Sequence, residues 1–213
     1  ALDPDGSFTY SPDAGFIGSD QFTYRASDGV LTGDVATVTL EVDDVVTRWN
    51  RITLDLITDE SLMAPVASRL LAMAHMAIFD SVNAIDPQYK TLAITPSNPA
   101  QEASAPAAVA AAAYQVLVQQ YPGQGATLAG HLAHSLSAVP DGPGKALGIA
   151  LGEEVAAAVL ALRANDGSSD VVGYTPGSGP GVWRPTPPHF MPAAFTHWRY
   201  VTPFSMLSPD QFR

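Results

Sequence analysis

The chain has 213 residues, of which 46% are hydrophobic and only 15% charged, enough for one sizeable core or two small ones and too apolar to stay disordered throughout. A formal charge of −11 with only ten Lys and Arg argues against nucleic acids and anionic membrane surfaces as partners, because both need clustered cations. With no cysteine, disulfides, thiolate catalysis, zinc-thiolate sites and iron–sulfur clusters are excluded, and no apolar run reaches the roughly 18 residues of a membrane span.

Residues 1–43 read as short strands. Phe8 and Tyr10, then Phe22, Tyr24 and Ala26, then Ala36, Val38, Leu40 and Val42 alternate with polar neighbours, the period-two pattern of a strand with one buried face. Between them SPDAG, GSD and SDG are turn clusters, in which Gly supplies positive φ and Asp bonds its own backbone. The region holds eight acids against the single Arg25, a net of −7 that leaves −4 for the other 170 residues. That asymmetry places a domain boundary near Asp43 to Val46, dividing the chain into 1–43 and 44–213. The first residues show no signal peptide, the start falls within a β pattern and the finish carries no stop signal, so the chain reads as a segment of a longer protein.

The stretches "DGSFTYSPDAGFIGSDQFTYRASDG" and "ATVTLEV" resemble the end of a bacterial cadherin-like, Ig-like tandem repeat of large secreted or surface proteins. The resemblance implies a small antiparallel β-sandwich fragment and a secreted or cell-surface location. Asp3, Asp5, Asp13, Asp20 and Asp28 could contribute oxygen ligands to calcium, with Asp3, Asp5 and Asp20 as the candidate metal residues. The competing reading makes them turn formers on a solvated face, because no EF-hand-like spacing is present.

From Trp49 the pattern becomes helical. Thr58, Asp59 and Ser61 offer N-caps, Pro65 is tolerable in a first turn, and Val66, Leu70, Met73, Ala77 and Ile78 recur at helical spacing, predicting a helix over 62–85. Its Ala67, Ala72, Ala74 and Ala77 suit close approach of neighbouring helices. An alanine-rich helix over 102–120 ends at Tyr121-Pro122-Gly123, and two more are expected at 124–138 and 143–164, the last stopped by Asn165-Asp166-Gly167-Ser168. Beyond 167 the chain turns to loop, rich in Gly and Pro and holding Trp183, Phe190, Phe195, Trp198, Tyr200 and Phe204. A long loop with so many aromatics should be packed against something.

The titratable groups form no complete catalytic site. His75, Asp80 and Asn83 sit on the 62–85 helix as a core histidine and as anchors or caps. His131 and His134 share a helix face but lack a third ligand, and the adjacent Glu153 and Glu154 point in different directions. The densest cluster is Arg184, His189, His197 and Arg199, guanidinium and imidazole groups suited to an oxyanion or to holding the loop in place. There is no GxSxG, no phosphate-binding glycine loop and no HExxH.

Taken jointly, "WN" at 49–50, "ASRLLAMAHMAIFDSVNAIDPQY" at 67–89, "ALRANDGS" at 161–168, "YTPGSGPGVWRPTPP" at 174–188 and "HWRYVTPFSMLSPDQFR" at 197–213 resemble the front part of bacterial vanadium-dependent haloperoxidases, in the type-2 acid phosphatase superfamily. The resemblance implies a mainly α fold, an incomplete helical bundle of the haloperoxidase type. It also implies vanadate as cofactor and, as partners, hydrogen peroxide, halide, an organic acceptor and the C-terminal half of the same domain; a homo-oligomer is compatible with it. The family's vanadate ligands lie beyond the matching stretch, so no catalytic residue is assigned here and the segment alone should be inactive. Trp183, Arg184 and His189 are expected to frame the substrate pocket. The alternatives are an acid phosphatase of the same superfamily and a non-catalytic surface adhesion or matrix protein. With part of the bundle elsewhere, exposed apolar patches are expected on the 62–85 and 143–164 helices.

Overall fold

The computed structural model describes residues 6–13, 18–42, 44–96 and 101–212. It divides into two units, Ala1–Arg48 and Trp49–Arg213, the first built on strands and the second on helices.

In the first unit β1 (Gly18–Tyr24) and β2 (Ala36–Val42) pair antiparallel, with Phe22 opposite Val38 and Asp20 opposite Leu40. Ala36, Val38, Leu40 and Val42 are half-buried while Val35, Thr37 and Thr39, before and between them, are exposed, so the period-two pattern is realised. Phe8 meets the Phe22 ring edge-on at 5.0 Å. The SDG turn behaves as its residues dictate: Gly29 takes a φ of 89°, and Asp28 Oδ1 accepts from the amides of Val30 and Leu31 at 2.9 and 2.7 Å. Two expectations are corrected here. The strand at Phe8 and Tyr10 shrinks to one bridge residue, Phe8, and the described residues form a single two-stranded sheet rather than a sandwich. Two strands cannot bury a face by themselves, and none of their residues whose burial is described is fully buried.

The polar run Thr58, Asp59, Ser61 does not start the next helix. It ends one the sequence reading missed: α1 (Val45–Asp59), which is capped by Asp44 accepting from Thr47 N at 2.7 Å. Thr58 Oγ1 bonds back to Leu54 O, and Ser61 adopts a φ of 50° in the turn that follows. The next helix, α2 (Ala64–Ile85), starts at Met63 with no side-chain cap and carries Pro65 in its first turn. Trp49, Ile52 and Leu56 of α1 and Leu70, Met73, Ala74, Ala77 and Ile78 of α2 enter the core.

At the centre lies α3 (Ala105–Gln120), buried on nearly every side from Ala107 to Ala113 and again at Val116 and Leu117. Its Ser104 cap and the break at Tyr121-Pro122 set its ends. The helices α4 (Gly125–Ser137) and α5 (Pro143–Arg163) both pack on it, and α2 packs on both α3 and α5. Alanine makes this possible, because an all-alanine face lets helix axes approach closely. On α5 the matching surface is glycine. A Cβ at Gly148 or Gly152 would lie 2.4 Å from the carbonyl oxygens of Ser104 or Ala108, so the two backbones touch directly.

The expected exposed apolar patches on α2 and α5 reduce to isolated positions, Val82 on α2 and Leu147 and Leu162 on α5. These helices satisfy one another through small residues. The large exposed apolar side chains concentrate instead in the chain after Val171.

Candidate functional site

Three stretches far apart in sequence meet at a buried knot of charge. Arg69 projects from α2, Arg163 from the last turn of α5, and Asp166 from the bend just after it. Arg69 Nε and Arg163 Nη2 reach the same carboxylate oxygen, Asp166 Oδ2, at 2.8 and 2.7 Å, with the Arg163 and Asp166 side chains almost wholly buried. Arg69 also donates to Gln120 Oε1 at 3.2 Å and to the Arg163 carbonyl at 2.9 Å. Arg163 donates to the carbonyls of Thr202 and Pro203 at 2.6 and 3.3 Å and lies 4.0 Å above the Phe204 ring; its Nε is buried with no hydrogen-bond partner. Burial alone would raise the Asp166 pKa, but the hydrogen bonds from Arg69 and Ser168, with the Arg69 charge, override it and hold the carboxyl at about 2.

The knot closes the neck of a long loop. Thr202 N donates to Asp166 O at 2.8 Å, His197 Nε2 lies 3.2 Å from Ser168 O, and Thr196 Oγ1 bonds Val172 O. Between these points the chain has no regular structure, and nearly every residue from Ser169 to Pro192 is exposed. Here the expectation of a packed aromatic loop is corrected. Trp183 is 45% and Phe190 61% exposed, and Trp183 is held chiefly by Tyr174, whose hydroxyl donates to its carbonyl at 3.1 Å and whose ring meets its own at 5.6 Å. Aromatic content predicted cover, but nothing in the described residues lies over this stretch; the cover exists only at the neck, where the Trp198 ring meets those of Phe195 and His197 edge to face.

The predicted cluster therefore divides. Arg184 and His189 stand on the exposed mid-loop beside Trp183, whereas His197 is half-buried at the neck and Arg199 stacks over Tyr200 at 4.5 Å. Elsewhere, His75 Nε2 meets Asn50 Oδ1 at 2.9 Å. The Asp80 carboxylate accepts from the amides of Leu92, Ala93 and Ile94, and Asn83 Oδ1 from those of Gln88 and Tyr89, so both cap the segment after α2. His131, His134 and Glu153 are exposed and Glu154 half-buried. Of the calcium candidates, Asp3 and Asp5 lie outside the described residues. Asp20 is engaged by the Tyr10 hydroxyl at 2.7 Å and by the Gln21 amide, and Asp28 caps its own turn. Among the described residues no three His, Asp or Glu converge as a metal site would require.

Between α2 and the chain that returns from the neck lies a cleft of about 440 Å³, walled by Pro65, Ala72, Trp198, Phe204 and Met206 and edged by Arg69. The sequence pattern did not bring Arg69, Arg163 and Asp166 together as a group. A vanadate ion needs several converging donors for its four oxygens, and the described residues do not fit it: Arg163 is enclosed by Thr202, Pro203 and Phe204, Arg184 and His189 lie on the exposed loop, and of these cations Arg69 alone lines the cleft.

Residues 1–41 match the family of bacterial Ig domains. No curated protein is significantly similar to the chain, and no solved structure is. Among the described residues no helix is long and apolar enough to cross a membrane.

Proposed function

We propose that the helical unit is the scaffold portion of a vanadium haloperoxidase-like enzyme, carried next to an Ig-type repeat on a secreted or surface protein. One observation carries the reading: three of the stretches that resemble the haloperoxidases come together at the knot. "ASRLLAMAHMAIFDSVNAIDPQY" contributes Arg69, "ALRANDGS" contributes Arg163, Asp166 and Ser168, and "HWRYVTPFSMLSPDQFR" contributes His197, Thr202 and Phe204. Stretches that resemble one family and also make one another's hydrogen bonds behave as parts of one design.

In this reading the described residues supply wall and positioning, while the ligands of the ion come from elsewhere in the parent protein. The knot fixes both ends of the 167–202 loop on the helices and presents Trp183, Arg184 and His189 outward. In this reading the parent protein would oxidise halide with peroxide, and vanadate held by residues elsewhere in it would supply Lewis acidity. The full-length parent protein, given vanadate, peroxide and bromide, is expected to brominate a phenol dye. Loss of that activity on vanadate removal is the supporting result, and no turnover at saturating vanadate overturns it. Hydrolysis of a phosphate ester without peroxide would instead assign the related phosphatase.

A second reading has its own support. The match of residues 1–41 to bacterial Ig domains fits a surface adhesion or matrix protein whose helical unit is catalytically silent. A parent protein inert in both assays yet retained on cell-wall material favours it.

A further inference from the structure

The knot holds more positive than negative charge. Arg69 and Arg163 share one oxygen of one carboxylate, and among the described ion pairs neither arginine meets a second acid. Glu60, whose charge reaches Tyr121 together with that of Arg69, is engaged by Gln124. A sheltered excess charge favours the arrival of an anion. Arg163 cannot receive it, being enclosed by Thr202, Pro203 and Phe204. Arg69 can: it is the outer member, 13% exposed along its side chain, and it edges the 440 Å³ cleft. Of the five N–H groups of a guanidinium, Arg69 commits three, to Asp166, Gln120 and the Arg163 carbonyl. Two remain.

Apart from Ser68 and Thr202, the rest of the cleft is lined by apolar residues. Pro65, Ala72, Trp198, Phe204 and Met206 give it aromatic and aliphatic walls, and its size falls in the roughly 300–1,000 Å³ range of small-molecule pockets. Walls of this kind do not solvate the second charge of a phosphate. They suit one planar anionic group on an apolar body, and a carboxylate matches a guanidinium edge in shape as well as charge. We propose that this cleft binds a small aromatic carboxylate, with its ring against Trp198, Phe204 and Met206 and its carboxylate on the uncommitted N–H groups of Arg69 Nη1 and Nη2. The inference stands apart from the halogenation reading, since neither the ion nor the peroxide enters it.

Isothermal titration of the full chain tests it with three probes: 2-naphthoate, the neutral 2-naphthalenemethanol and inorganic phosphate. Saturable naphthoate binding is expected, with the alcohol and phosphate weaker by about tenfold or more, as loss of a charge-assisted hydrogen bond implies. Ala72→Leu fills the cleft, and Met206→Glu places a carboxylate on its exposed rim; each should weaken naphthoate by about tenfold or more while leaving the melting transition near that of the parent. Met206→Glu decides the matter if Ala72→Leu disturbs the fold. Absent naphthoate binding, an equal affinity for the alcohol, a preference for phosphate, or undiminished binding to folded Met206→Glu would overturn the proposal.

Discussion

The α3–α5 pair and the 167–202 loop are both rich in residues with little or no flexible side chain, and they end in opposite environments. In the helix pair Ala107, Ala108, Ala111 and Ala112 face Gly148 and Gly152, and backbone meets backbone directly. In the loop the glycines and prolines fall without helical spacing, so no face forms and the chain from Ser169 to Pro192 stays exposed. The helix pair is therefore held along its length by packing. The loop is held only at its ends, by the hydrogen bonds around Asp166. Small residues bury a segment when a helical repeat aligns them and release it to solvent when it does not.

The sharpest way to break this contrast is at the neck. Asp166→Ala leaves two guanidinium groups sheltered without a counter-charge, a change that costs about 3–5 kcal/mol when a buried pair loses one partner. Chemical denaturation should show that loss. Limited proteolysis should show cleavage spreading from the mid-loop into 197–204, where Arg163 and Asp166 now hold the chain. Unchanged stability would mean that the loop is anchored elsewhere.

The same carboxylate sets an acid limit. Asp166 falls from an ordinary 3.8 to about 2 in the folded chain. A depressed folded-state pKa stabilises fully above the unfolded value and is lost as pH falls through the folded one, so the window runs from about pH 4 down to about pH 2. Across that window the loss amounts to about 2 kcal/mol. In Asp166→Asn this share of the acid dependence should vanish, a difference readable from urea melts at pH 5 and pH 2.5.

The helix pair offers the next largest effect. Gly152→Ala gains helix propensity of about 1 kcal/mol, yet its Cβ would sit 2.4 Å from Ala108 O and 2.8 Å from Ala112 N. Backbone cannot rotate away as a side chain can, so α5 must shift from α3, a net destabilisation of about 1–3 kcal/mol. Gly123→Ala, with nothing within 4 Å of the added methyl, is the control and should melt close to the parent. Equal melting of the two variants would remove close packing as the reason for glycine on α5.

Much of this architecture was legible. Four helices fell close to their expected bounds because apolar spacing and breakers such as Tyr121-Pro122-Gly123 act locally. α1 itself was missed, because Thr58, Asp59 and Ser61 look alike whether they end one helix or begin another. The Ig-type character of the N-terminal stretch was legible, and the family match of residues 1–41 agrees. The knot was not, since Arg69 and Asp166 are 97 positions apart and a lone arginine on a helix ordinarily reads as solvated. The available signal was scarcity: with ten basic residues in the chain, Arg69 and Arg163 stand nearly alone in alanine- and leucine-rich helices. The loop misled in the other direction, because counting aromatics says that they could be covered without saying by what.

Trp183 gives the smallest effect and the cleanest reading of the loop. It is 45% exposed and contacts mainly Tyr174, through an edge-to-face ring contact and a hydrogen bond to its backbone carbonyl that any residue would retain. Removing the ring in Trp183→Ala therefore forfeits a partly solvated aromatic pair, about 0.5 kcal/mol. Because the pair lies beyond the neck, even that loss should not reach the global melt: the transition should stay within error while Tyr174 becomes more accessible to surface labelling. A fall of several degrees in melting temperature would show that the mid-loop is coupled to the α2–α3–α5 core, and the division between a packed pair and an end-held loop would fail at the residue where it is drawn most sharply.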